Sequence, residues 1–159
     1  MQQTYNWRGE LLEPAERATL ERATPLAEKV AWWLDLLECY PIVRQEFVLP
    51  ESHRGQGLEQ QLYWLSGLSI WDECCSLYPG IAAAKDGYLP IGGCFGGSGN
   101  PYYIHVEEGP DPALYQIFHE GIEDRRDGRG EVLSDDAVGK VAPSLSWFMR
   151  HAQPGPAMD

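Results

Sequence analysis

The sequence predicts an α+β fold, an antiparallel sheet with helices packed on one face. Three observations predict it. Apolar residues recur at helical spacing through the first forty positions. Short aromatic and β-branched runs between glycine turns fill Tyr88 to Ala142. Helices first and a strand meander later place the two kinds of element in separate layers. A length of 159 residues fits one domain, drawn over residues 1–152 with a flexible Pro/Gly-rich tail at 153–159.

Leu11 to Arg22 reads as a first helix whose regular part starts near Pro14, because proline is tolerated only in a first turn. Thr24-Pro25 restarts the chain, with Thr24 as N-cap. Leu26, Val30, Trp33, Leu34 and Leu37 then form one apolar stripe, which Tyr40-Pro41 ends. Arg44 to Leu49 is a short strand, and Pro50 to Gly57 is a polar loop. Leu58, Leu62, Leu65 and Leu68 align as a helix. Ser69 to Leu77 fits either period, and Tyr78-Pro79-Gly80 is a turn.

Strands are expected at Tyr88–Ile91, Tyr102–Val106 and Ala113–Phe118, with a short one near Lys140–Ala142. Gly92 to Asn100 reads as a wide turn whose glycines supply positive φ, and Glu108 to Pro112 as another turn. Glu120 to Gly130 reads as an exposed charged loop. Ser144 to His151 closes the domain as a helix, with Leu145, Phe148 and Met149 on one face.

The chain carries 24 acidic against 12 basic side chains, a net charge of −12. Such a chain repels phosphate backbones, so nucleic acid is not an expected partner. A basic protein would be attracted and oriented by its field, the plainer alternative being solubility alone. The excess is greatest at residues 41–120, with 3 basic and 10 acidic residues. No apolar run approaches the roughly 18 residues that span a bilayer, so no membrane association is expected. Met1 to Glu10 has no basic region followed by an apolar stretch, and the expected location is cytoplasmic.

The motifs for chemistry are sparse. Cys39, Cys74, Cys75 and Cys94 form no zinc-type spacing and read as small hydrophobes. His53, His105, His119 and His151 are too far apart for a helical metal pair, so no metal or cofactor is expected. The glycines from Gly92 to Gly99 are followed by Asn100-Pro101 instead of a P-loop Lys and Ser/Thr. Neither Ser66-Gly67 nor Ser98-Gly99 has the nucleophile elbow pattern. The acidic pairs Asp72-Glu73, Glu107-Glu108, Glu123-Asp124 and Asp135-Asp136 read first as solvated surface. Most tryptophans read as core, with Trp71 beside Asp72 and Glu73 the best candidate for an exposed anchor.

Several segments of the second half form a recognisable series. Gly87-Tyr88-Leu89-Pro90-Ile91-Gly92 is followed by Gly96-Gly97-Ser98-Gly99-Asn100, then Tyr102-Tyr103-Ile104. Ala113-Leu114-Tyr115-Gln116-Ile117 and Val141-Ala142-Pro143-Ser144-Leu145-Ser146-Trp147-Phe148 complete the series. In this order they resemble the SUKH superfamily, which also includes fungal cell-wall synthesis regulators of the Smi/Knr type. The resemblance covers roughly residues 58–151.

The resemblance implies a SUKH-like α+β fold and no catalysis. Bacterial members look like immunity proteins that bind and neutralise a cognate toxin delivered by contact-dependent or type VI systems. Many such toxins are nucleases and basic, which agrees with the acidic composition. On that reading Asp72, Glu73, Glu107, Glu108, Asp111, Glu123 and Asp124 contribute charge, with Trp71 or Tyr103 as anchors. Two other readings are a small hydrolase using Cys94 or His119 with a carboxylate, and a regulatory scaffold for protein interactions.

Overall fold

The computed structural model describes residues 7–50, 52, 61–94, 98–125, 128 and 130–157. It is α+β, with antiparallel strands and six α-helices among the described residues. The helices are α1 (Pro14–Ala23), α2 (Leu26–Lys29), α3 (Ala31–Cys39), α4 (Gly67–Cys75), α5 (Gly80–Lys85) and α6 (Leu145–His151). The strands are β1 (Gln45–Val48), β2 (Gln61–Trp64), β3 (Tyr88–Cys94), β4 (Tyr102–His105), β5 (Leu114–Ile117), β6 (Ile122–Arg125), β7 (Gly130–Leu133), β8 (Val138–Ala142) and β9 (Gln153–Ala157). Seven of them form one sheet in the order β8-β5-β4-β3-β2-β1-β9, while β6 and β7 pair as a separate ribbon.

Pro14 opens α1 as the sequence predicts. The Thr24 hydroxyl accepts the Leu26 N–H at 3.3 Å. The single helix expected after it divides at Val30, whose backbone (φ −122°, ψ 33°) leaves the helical region. Val30 is β-branched and fully buried at this break, and a β-branched side chain has a slightly lower helix propensity.

Three expected elements need correction, and one open reading is settled. The helix expected over Leu58–Leu68 is strand β2 for Gln61–Trp64, with Leu58 outside the described residues. Leu62 and Trp64 point inward and Gln61 and Tyr63 are half-buried, a period of two that four residues cannot distinguish from a helical stripe. The ambiguous segment after it is α4, started by the Ser66 hydroxyl, which accepts the Ser69 N–H at 3.2 Å. The expected charged loop contains β6 and β7, paired from Ile122↔Leu133 to Arg125↔Gly130. The tail expected to fray supplies β9, which pairs antiparallel with β1.

That last pairing is supported by a buried amide. Gln45 has no exposed surface; its Oε1 accepts the Arg8 N–H at 2.8 Å, and its Nε2 donates to the Gly155 carbonyl. A buried polar side chain is tolerated when both ends are bonded, and here that condition ties residue 8, β1 and β9 together.

The core lies against one face of the sheet. Trp64 is its central ring, 5.1 Å from Trp33 of α3, 5.7 Å from Phe47 of β1 and 5.7 Å from Phe148 of α6. Such tilted and edge-on pairs add attraction beyond area burial. The other face is also covered. Along β4, Tyr102 and Ile104 enter the main core, whereas Tyr103 meets Ala82 and Ala83 of α5 in a second cluster with Ile117, Leu133 and Ala137. Alternation along a strand makes these opposite faces.

Two glycines expected in a turn belong to β3. Gly93 pairs directly with Tyr63 of β2, and Gly92 with Tyr102 of β4. A Cβ on Gly93 would stand 2.2 Å from Cζ of Tyr63. Gly93 has no positive φ. Its bare Cα makes room for a ring. Gly99 is the described glycine of that stretch that does use positive φ, at 75°.

Candidate functional site

The residues expected to meet a partner lie in four places in the fold. Trp71, Asp72 and Glu73 are on α4. Glu107, Glu108 and Asp111 follow β4. Glu123 and Asp124 are on β6. Tyr103 is within β4.

Helix α4 turns Gly67, Ile70 and Cys74 inward. The opposite side carries Leu68, Trp71, Asp72 and Cys75 at spacings of three, four and seven, all exposed. Leu68 is 54% exposed and Trp71 38%. A surface helix normally presents polar residues outward; α4 is apolar on two sides. Asp72 fits its expected role as an exposed acid. Glu73 does not: it is half-buried, and burial, followed by the neighbouring Asp72 charge, raises its carboxyl above the ordinary value.

Tyr103 is a second correction. It is fully buried, so its ring offers no surface to a macromolecule. The alanines of α5 cover it, and its hydroxyl has no hydrogen-bond partner among the described residues. Burial, and next the Glu73 carboxylate, push its phenol well above the usual range.

The acids after β4 are exposed, but each also serves the fold. Glu107 bonds Lys29 of α2, and that bond holds its carboxyl below the ordinary value. Glu108 accepts the Tyr115 hydroxyl at 2.6 and 3.0 Å. Burial, then this bond, raises the Tyr115 phenol. Asp111 receives the Ser146 backbone N–H at 2.8 Å and the Ser146 hydroxyl at 2.6 Å. It thus helps to cap α6 and is held below its usual range. Glu123 and Asp124 are exposed on β6.

Among the described cations, Arg17 bridges Glu21 at 2.8 Å, Asp35 at 2.6 Å and Glu38 at 2.9 Å. That triple contact joins α1 to α3. Its guanidinium is held charged, chiefly by the bonds to Glu21 and Asp35.

Two hollows flank the outer side of α4, and sequence reasoning missed both. One, of about 470 Å³, is lined by Glu10, Glu16, Arg44, Tyr63, Ser66, Leu68 and Ser69. Arg44 has a left-handed backbone (φ 66°), uncommon for a residue with a side chain. Glu16 reaches across from α1 to accept the Gly67 N–H at 3.1 Å, so the same carboxylate meets the first turn of α4. The second, shallower hollow is lined by Leu68, Ser69, Trp71 and Asp72. Leu68 and Ser69 line both, so the two lie side by side along the helix. No sequence signal joins Glu10, Arg44 and Ser69; three separate segments supply them.

A third cleft, about 300 Å³ and almost wholly apolar, lies between α3 and α6, with Trp32, Leu36 and Met149 among its walls. The residues of the hydrolase reading sit elsewhere. Cys94 ends β3 half-buried, and His119 is exposed with Nδ1 2.7 Å from Asn100 Oδ1. Among the described residues, no group of three or more His, Cys, Asp or Glu side chains is placed to hold a metal ion, and no helix is long and apolar enough to cross a membrane.

No family model, no curated protein and no solved structure matches the chain.

Proposed function

We propose that this chain is a binding module that neutralises a cognate, basic protein toxin, as an immunity protein of the SUKH type. The observation that carries this reading is the outward acid excess. Asp72, Glu108, Glu123, Asp124, Asp135 and Asp136 are all exposed, while Arg17 is occupied by three carboxylates within the fold. A net −12 distributed in this way attracts and orients a basic partner, and it can cover a cleft that would otherwise hold phosphate. The order of strand motifs that resembles the SUKH superfamily, together with the α+β sheet, adds support.

The test is protection. A toxin gene adjacent to the one encoding this chain is expressed with and without it, and growth is scored. Survival that needs this chain, with affinity falling as salt rises, is the expected result. Affinity unchanged by salt and by replacement of the exposed acids would sink the electrostatic account.

A further inference from the structure

We infer that the outer side of α4, with the cavity beside it, is the docking surface of this module. The occupant is a polypeptide segment of the partner carrying arginine or lysine next to an apolar side chain. The inference rests on the binding-module reading and specifies its site.

The inward stripe of α4, made by Gly67, Ile70 and Cys74, already joins it to the body of the protein. The outward side of the helix has no such need, yet three of its four residues, Leu68, Trp71 and Cys75, are apolar and only Asp72 is charged. Exposed apolar surface next to polar groups is the usual composition of an interface centre, and tryptophan is prominent among residues whose loss weakens binding.

The charges around it specify the occupant. Asp72 stands beside Trp71 in the shallow hollow. The neighbouring cavity is lined by Glu10 and Glu16 and by one cation, Arg44. Three carboxylates against one guanidinium leave the combined site negative. A partner's arginine can lie over the indole of Trp71 while facing Asp72, because a guanidinium is attracted by an aromatic face. A second cation can enter the cavity between Glu10 and Glu16. The apolar side chain between them would rest on Leu68. Acidic peptides and nucleic acid would be repelled by the same carboxylates.

The probe is a synthetic twelve-residue peptide of leucine and arginine only, titrated into the ¹⁵N-labelled full chain. Amide shifts are expected to concentrate on residues 66–75. Trp71→Ala and Asp72→Lys are each expected to weaken binding about tenfold or more, while Glu28→Lys on α2, an exposed acid away from both hollows, changes it little. Unchanged affinity in both α4 variants overturns the inference, as do shifts centred on Glu107–Glu108 or on β6. Concentration-dependent shifts on α4 without peptide would assign this face to a second copy of the chain and also overturn it. Absence of peptide binding rejects this occupant. Growth protection is scored separately, so each of these failures leaves the toxin-neutralising reading standing or falling on its own test.

Discussion

The ring of Tyr63 on β2 occupies the space above Gly93, its direct partner on β3. A side chain added at Gly93 would meet ring carbons at 2.2 and 2.6 Å. The pair explains a glycine in the middle of a strand, where glycine is otherwise costly.

Gly93→Ala is therefore expected to destabilise the fold by about 1–3 kcal/mol. That outweighs the roughly 0.4–1 kcal/mol an alanine gains by restricting the unfolded chain. In a Tyr63→Ala background the same change should cost much less. Urea unfolding of the four members of this cycle checks it; equal costs in both backgrounds would refute the contact.

Asp111→Ala is expected to cost about 0.5–2 kcal/mol by removing an acceptor at the start of α6. The bonds from Ser146 lower this carboxyl, so its contribution is present above the ordinary value of 3.8 and is lost as pH falls through the lowered native value. The gap between variant and wild type should thus narrow in acid, as read by chemical denaturation across pH.

Glu73 behaves in the opposite sense. Its native carboxyl is raised, so above the ordinary value of 4.5 the folded chain holds the proton more firmly than the unfolded one. Stability falls as pH rises through the window between that value and the raised one. Glu73→Gln should remove this slope, matching wild type below the window and exceeding it at neutral pH. A Glu73→Gln protein less stable than wild type at pH 8 would contradict the burial account.

The thiols should separate by accessibility. Burial, followed by the neighbouring Cys75, pushes the Cys74 thiol up to about 11, whereas Cys39 and Cys75 are exposed. Iodoacetamide at pH 8 is expected to label Cys39 and Cys75 first, with Cys74 protected until the chain unfolds. Peptide mass spectrometry over time distinguishes the sites.

The fold was legible where one signal spanned a whole element. Pro14 and the aromatic run Tyr102–Ile104 each marked their element because packing and local preference agree there, whereas the Leu26–Leu37 stripe marked helix but not its division at Val30. β2 was illegible because Leu58, Leu62, Leu65 and Leu68 imitate a helical stripe, while the pairing of Gln61–Trp64 with both β1 and β3 is a long-range fact. β9 was hidden for a similar reason, since Gln153–Ala157 has little strand preference and gains its place from β1 and Gln45. In the candidate site, the adjacency of Trp71 and Asp72 could be read directly, while their exposure is set by how α4 packs. The burial of Tyr103 could not, because either face of a strand can be covered and only the position of α5 decides which.

Proline at 154 and again at 156 means that the outermost strand next to β1 lacks two of the amide hydrogens another strand would need. Growth of the sheet from molecule to molecule is discouraged at that margin. Crowded copies of the chain are thereby steered away from stacking into fibres through the margin that residues 153–157 close.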